Sequence, residues 1–394
     1  MIFCDFYLPS FKSGGGMWTV VNLVDRFRDQ YDFFVVTRNY DSKGDTTPYT
    51  TVVTDQWNSV GGANVYYFAP GSLTINKVVR LVREVKPDVF FLNSAFSLAA
   101  RKLLTARRKG ILPEIPVILA PCGEMSQGAL SVKPIRKRLF LKYSEVVGLY
   151  KDVIWKASFD SESDEIHMMM GPDVEVMVAP DLVPKSIIPD YSQTWKPKKI
   201  KGSVKFVFIS RLVPKKNISY FLERLLDIRN GEVIFDIVGP LEDEDYWAQC
   251  KSIIARLPEN ITVNVTGAFP EQRDALRRVC ESHFFAMPTL NENFGYVFIE
   301  GLAAGCPLLI SDRTVWTDID TKGVGWRIPL ETPEKYVEQI NKCIEMGDDE
   351  YREMSIKSRQ YALDWLARPE NNEATARVLA RALNTNSRST NDGL

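Results

Sequence analysis

The sequence predicts an α/β protein of two domains, each a doubly wound parallel sheet with helices on both faces. Three observations carry that prediction. Short, β-rich apolar runs alternate with longer stretches of helical spacing through the first half of the chain. The same alternation restarts in the second half. Between them, from Pro184 to Lys199, lies a stretch rich in proline and lysine with no clear period, which marks a linker over 186–202. The expected domains are therefore 1–185 and 203–351, with a further helical stretch beyond.

In the first half, Ile2–Tyr7, Phe33–Thr37, Val65–Phe68, Val89–Leu92, Val117–Ala120 and Val176–Ala179 have the length and composition of strands. Between them, Val20–Phe27 and Ile75–Val85 space apolar residues three and four apart, as a helix with one buried face requires. In the second half the expected strands are Phe206–Ile209, Val233–Val238, Ile261–Val265, Phe284–Met287, Leu308–Ile310 and Gly325–Ile328. Sheets covered on both faces bury both sides of each strand.

Composition narrows the function classes. Across 394 residues, 49 Lys+Arg face 50 Asp+Glu, a net charge of −1, which argues against a general nucleic-acid binder. A hydrophobic content of 45% excludes a disordered chain. The six cysteines form no C-x-x-C pair and there are two histidines, His167 and His283, so a zinc cluster or disulfide framework is not expected. Met1–Asp5 lacks the basic start of a signal peptide. No apolar run reaches the ~18 residues of a membrane span. The expected setting is reducing and cytoplasmic, with the chain soluble or peripheral on the inner face of a membrane.

Four segments carry chemistry. Asn291–Glu300 follows the strand Phe284–Met287; Gly295 permits a tight turn and residues 296–304 read as a helix whose first N–H groups suit an anion. Glu292 before the turn and Glu300 within the helix either bind hydroxyls at two places on one ligand or cap the helix. Ser210–Asn217 follows the first strand of the second half, with Arg211 and Lys216 five apart. Two cations there suit a diphosphate, arginine as a fork and lysine as a point charge, or are solvated surface. Ser13–Met17 carries Gly14, Gly15 and Gly16 after the first strand and lets another molecule approach the backbone. Ala120–Leu130 follows the fifth strand and contains Cys122, Gly123 and Glu124.

Glu292, Phe294, Gly295 and Glu300 together resemble the E-x-F-G-x-x-x-x-E motif of family 4 retaining glycosyltransferases. The resemblance extends from Gly14 to about Trp365. It implies the GT-B fold, two Rossmann-like domains facing each other across a cleft, with acceptor bound by the first and donor by the second. It implies that Glu292 holds the donor sugar's hydroxyls, that Arg211 and Lys216 bind its diphosphate, and that these three are the catalytic set. Glu300 is implied at the ribose, with Phe294, Gly295 and Tyr296 at the sugar and phosphates and Gly15 and Gly16 opposite them. It also implies that the helical stretch 352–388 crosses back to the first domain. Ala120–Leu130 resembles a bacterial subgroup that builds O-antigen, capsule and exopolysaccharide. That subgroup commonly shows Arg or His where Cys122 stands, and Cys122, Gly123 and Glu124 are expected on the acceptor side.

The implied activity is retaining, metal-independent hexosyl transfer from a UDP- or GDP-sugar to a saccharide, itself on a lipid diphosphate, with no cofactor. A sugar-nucleotide epimerase of the same fold and a non-catalytic donor-binding partner are the alternatives.

Three further features have local readings. Asp243-Glu244-Asp245 has the D-x-D form but stands at the start of an expected helix, where acids favour the helix dipole. Met168–Met170 and both histidines read as structural. The stretch Arg101–Lys142 holds ten Lys/Arg against Glu114 and Glu124, a net of +8, leaving −9 elsewhere. That excess suits an anionic membrane surface, a solvated helix face or acceptor phosphates; nucleic acid fits least.

Overall fold

The computed structural model describes residues 1–11, 13–41, 47–126, 134–184, 187, 196–269 and 272–391. Internal contacts divide the chain into two units, Met1–Pro184 with Pro369–Leu394, and Lys185–Arg368.

The first unit is an eight-stranded sheet in the order β3-β4-β2-β1-β5-β6-β7-β8. These strands are Ile2–Phe3 (β1), Phe34–Arg38 (β2), Trp57–Val60 (β3), Ala63–Phe68 (β4), Phe90–Asn93 (β5), Val117–Ala120 (β6), Val153–Ala157 (β7) and Val176–Val178 (β8). All described pairs are parallel except β3 with β4. Two strands are additions to the sequence expectation. The β3–β4 hairpin closes through Gly61 and Gly62, both left-handed at φ 60 and 83, the two-residue turn that matches strand twist. The β7 strand is buried along its whole length, and Lys156 near its end interrupts the apolar run that would have marked it.

Both sheet faces are covered. Along β4, Tyr66 and Phe68 enter one core with Phe3, Leu103 and Trp155, while Val65 and Tyr67 enter the other with Val20 and Leu23. This is the two-residue alternation of a strand. Helix α1 (Gly15–Phe27) supplies the second core. The helix Pro369–Asn391 closes it with Val378, Leu379 and Ala382.

The second unit is a six-stranded parallel sheet in the order β11-β10-β9-β12-β13-β14. The strands are Ser203–Ile209 (β9), Glu232–Val238 (β10), Ile261–Thr266 (β11), Phe284–Met287 (β12), Leu308–Ser311 (β13) and Gly325–Ile328 (β14). Phe206 anchors its core against Phe221 at 5.4 Å and Phe284 at 5.8 Å.

Two boundaries differ from expectation. The crossover begins at Pro369 rather than 352. The helix Asp348–Ala367 stays with the second unit because Ser355 Oγ donates to the Gly305 carbonyl at 2.7 Å and Trp365 packs, tilted, against Phe294 at 5.3 Å. The linker also ends earlier than 202. Lys196 Nζ donates to the Ser282 carbonyl at 2.6 Å, and Lys199 Nζ donates to the Ile344 and Met346 carbonyls at 3.0 Å each. These ammonium groups satisfy carbonyls at and just past the ends of Gln272–Cys280 and Pro333–Glu345, where cations are favoured. Most of 186–195 lies outside the described residues. Of the methionine run, Met169 and Met170 pack on the core and Met168 faces solvent. Among the described residues, no helix is long and apolar enough to cross a membrane.

Candidate active site

In the second unit two loops leave the C-terminal ends of adjacent parallel strands, the position where open α/β sheets bind ligands. The first follows β9. Gly239 allows it to form: a Cβ there would stand 1.9 Å from the Ser210 carbonyl oxygen. The Leu212 N–H then donates to the Pro240 carbonyl at 2.9 Å. Pro214–Lys216 makes one 3₁₀ turn, which Asn217 ends in the left-handed region at φ 55.

The second loop follows β12 and is tied to the first. The Asn217 side-chain amide donates to the Pro288 carbonyl at 3.0 Å, and the Leu290 N–H donates to the Lys215 carbonyl at 2.9 Å. The loop then turns at Gly295, at φ 74 and ψ 65, into the helix Tyr296–Ala303. A Cβ at Gly295 would lie 2.5 Å from Phe298 and 2.9 Å from Glu292 Cγ, so the turn needs glycine for both angle and space.

This stitching brings Lys216 Nζ against Glu292 Oε2, with 10% and 13% of the two side chains exposed. Burial alone would raise the Glu292 carboxyl, but Lys216, Lys215 and Arg211 outweigh it and hold the group below the usual carboxylate range. Glu292 is thus an acceptor-only carboxylate beside a cation. Arg211 pairs with Glu242 at 3.1 Å, with 40% and 30% exposed. Glu242 was not among the expected residues; its signal is an acid one strand away, just past Pro240.

Other expected donor residues take different positions. Phe294 is 2% exposed, and it packs on Tyr296 at 4.8 Å and Trp316 at 5.6 Å. Its side chain belongs to the core, and its carbonyl accepts from Trp316 Nε1 at 2.7 Å. Tyr296 is buried in the same cluster. Glu300 is half-buried in the helix after Gly295.

In the first unit, Gly15 and Gly16 open helix α1, and the left-handed residue is their neighbour Gly14, at φ 70 and ψ −160. A Cβ at Gly16 would meet only Asn93 Nδ2 at an ordinary 3.7 Å, so space does not demand glycine there. Asn93, at the end of β5, joins two expected segments: its amide donates to the Gly16 carbonyl at 2.6 Å and its oxygen accepts from the Cys122 thiol at 3.2 Å. Cys122 is left-handed at φ 52. Burial, then Asp181 and Glu162, push its thiol well above the usual range, which favours the neutral, donating form.

Glu124, expected to face an acceptor, is instead a clip. It accepts from Ser94 Oγ at 2.7 Å and from the N–H groups of Ala95 at 2.8 Å and Phe96 at 3.3 Å. Its carboxyl is raised by burial. Gly123 donates its N–H to Glu162 Oε1 at 2.5 Å, and Glu162 Oε2 accepts from the Ser158 N–H at 2.7 Å. Beneath them Lys156 Nζ pairs with Asp181, whose other oxygen accepts from Thr19 Oγ1 at 3.3 Å. Residues 127–130 of the fourth segment lie outside the described residues.

The remaining polar candidates are structural. Asp243 caps the helix Glu244–Ile254 by accepting from the Tyr246 N–H at 2.9 Å. His283 Nδ1 accepts from the Lys205 N–H at 2.9 Å, and burial together with Lys199 and Lys196 drives the ring down to about 3, so it is neutral. His167 lies in the last turn of Asp160–Met170.

Solved structures share this architecture. A sucrose-phosphate synthase from Thermosynechococcus elongatus aligns at a TM-score of 0.73, with 13% identity over 98% of each chain. The Anabaena protein HepE, in complex with UDP and glucose, aligns at 0.69 with 17% identity over 96% of this chain and 99% of that one. WaaG, a glycosyltransferase involved in lipopolysaccharide biosynthesis, aligns at 0.66 with 12% identity over 95% and 98%. Among curated proteins no sequence matches. The fold is that of the GT-B glycosyltransferases. Residues 192–361, which include Arg211, Lys216 and Glu292, match the family model described as Glycosyl transferases group 1.

Proposed function

We propose that this chain is a retaining, metal-independent hexosyltransferase that moves a sugar from a nucleotide diphosphate onto a saccharide acceptor. The observation that carries this reading is the Lys216–Glu292 pair, set beside the Gly295 turn and inside the matched segment. Lys216, Arg211 and the N–H groups opening the helix after Gly295 supply positive potential for a departing diphosphate, without reorganisation at the moment of reaction. Glu292, ionised and acceptor-only, orients the sugar through its hydroxyls. An acceptor hydroxyl attacks the anomeric carbon on the face the diphosphate leaves. The carbon–oxygen bond to phosphate breaks, and the leaving phosphate oxygen takes the hydroxyl proton. UDP is the first nucleotide to try, because the similar HepE was solved with UDP and glucose. A saccharide on a lipid diphosphate, in bacterial surface polysaccharide synthesis, is the acceptor class we favour.

Incubation with UDP-glucose, UDP-N-acetylglucosamine and GDP-mannose tests the reading through nucleoside diphosphate release. Glu292→Gln is expected to lower turnover about a hundredfold or more. Wild-type turnover in that variant sinks the assignment. Inversion at the anomeric carbon by NMR removes the retaining step, and loss of activity in EDTA removes metal independence. Conversion of the donor to its epimer points to an epimerase, and binding with no turnover to a non-catalytic partner.

A further inference from the structure

The helix Pro134–Val146 presents a solvent-facing apolar stripe. Ile135, Leu139, Tyr143 and Val146 are 73%, 65%, 58% and 81% exposed. Spaced four, four and three apart, they fall within an arc of about 80° at 100° per residue. Among the described residues, no other helix exposes more than one large apolar side chain. The stripe is not a misplaced core face, because the opposite side is already docked. Leu141 and Ser144 are buried there. Arg101 lies 5.5 Å over the Phe140 ring and Lys137 Nζ lies 5.4 Å over the Phe96 ring.

Charge identifies the occupant. Arg136 and Lys142 flank the stripe on its two sides, Arg138 stands beyond Lys142, and the only acid in the helix is Glu145 near its end. Cations bordering an apolar stripe match anionic headgroups over acyl chains, and a tyrosine in the stripe suits the boundary between them. Elsewhere in the basic stretch two of the cations serve the fold: Arg107 donates to the Lys151 carbonyl at 2.7 Å and Arg108 to the Val147 carbonyl at 3.1 Å. We propose that the helix Pro134–Val146 lies flat in the surface of an anionic bilayer, inserting Ile135, Leu139, Tyr143 and Val146 between lipids while Arg136, Arg138 and Lys142 meet the headgroups.

The test is flotation of the full chain with vesicles of phosphatidylcholine alone and with about a third phosphatidylglycerol. Binding to the anionic vesicles and little to the neutral ones is expected. Ile135→Ser/Leu139→Ser/Val146→Ser is expected to weaken binding about a hundredfold or more. Arg136→Gln/Arg138→Gln/Lys142→Gln is expected to weaken it about fivefold per cation, about a hundredfold in all, on anionic vesicles alone. These positions are exposed, so thermal unfolding should show both variants folded. Equal recovery with both vesicle types, no flotation, or wild-type flotation of the serine variant overturns the proposal. So does a concentration-dependent dimer that the serine variant dissolves, which would make the stripe an interface between copies. None of these readouts requires donor turnover, so this proposal and the transferase reading fail separately.

Discussion

The two units repeat one architecture and use its polar residues differently. Both gather charge at the C-terminal ends of parallel strands. In the first unit the Lys156–Asp181 pair is 6% and 3% exposed, and Glu162 is 2% exposed with both oxygens on backbone N–H groups. In the second unit Lys216–Glu292 is 10% and 13% exposed and Arg211–Glu242 is 40% and 30% exposed. A sealed pair is held by the cost of leaving one charge buried alone, whereas an exposed pair loses little when a partner is replaced. The first network therefore fixes loops, whereas Arg211–Glu242 in the second is open to solvent and free to exchange partners.

The largest expected effect tests that contrast directly. Lys156→Met should destabilise the chain by about 3–5 kcal/mol in denaturant titrations, because Asp181 is left unpaired in the interior. Arg211→Met should change stability by less than ~1 kcal/mol. Similar losses in the two variants would end the distinction between sealed and open charges.

Gly295→Ala comes next, at about 2 kcal/mol or more in thermal unfolding. Its left-handed φ of 74 is strained for alanine, and the added Cβ would meet Phe298 at 2.5 Å. An unchanged melting temperature would mean that the turn rearranges without cost.

Acid titration separates the units by sign. Glu292 has its carboxyl lowered from 4.5: burial opposes ionisation, but Lys216, Lys215 and Arg211 prevail. Its stabilising contribution is complete above pH 4.5 and disappears as pH falls through the folded value. Glu162 has its carboxyl raised from 4.5, chiefly by burial. Its contribution is complete below pH 4.5 and declines as pH rises through the folded value. Glu292→Gln should therefore be most destabilising at neutral pH, and Glu162→Gln most destabilising in acid. The same slope in both variants would remove the electrostatic distinction.

Cys122→Ser is the smallest, at less than ~1 kcal/mol, since a hydroxyl can donate to Asn93 as the thiol does. The raised thiol should react slowly with iodoacetamide at neutral pH. Rapid labelling would show an activated cysteine and a reactive first-unit site.

Much of the strand order was legible because buried parallel strands are apolar along their whole length. Val117–Ala120 and Phe284–Met287 begin and end where the side-chain pattern marks them. The strand at Val153–Ala157 was hidden because Lys156 is compensated by Asp181, 25 residues further on. The same limit applied at the site. The turn at Gly295 and the cations Arg211 and Lys216 are local patterns, but the cation–carboxylate partnerships are not. The tryptophans that bury Phe294 lie at 316 and 365.

The sequence by itself determined the alternation of strand and helix, the two-part organisation, the Gly295 turn and the residues of the Glu292 motif. Backbone conformation and the period of burial are settled within a few neighbouring residues. Only the tertiary structure decided that Lys216 meets Glu292, that Arg211 meets Glu242, that Glu124 clips a loop, and that Ile135 and Leu139 face outward. These outcomes depend on which strands become neighbours and which helix face finds a partner. Hydrophobic burial drives collapse without direction, and close packing with satisfied hydrogen bonds then selects each partner.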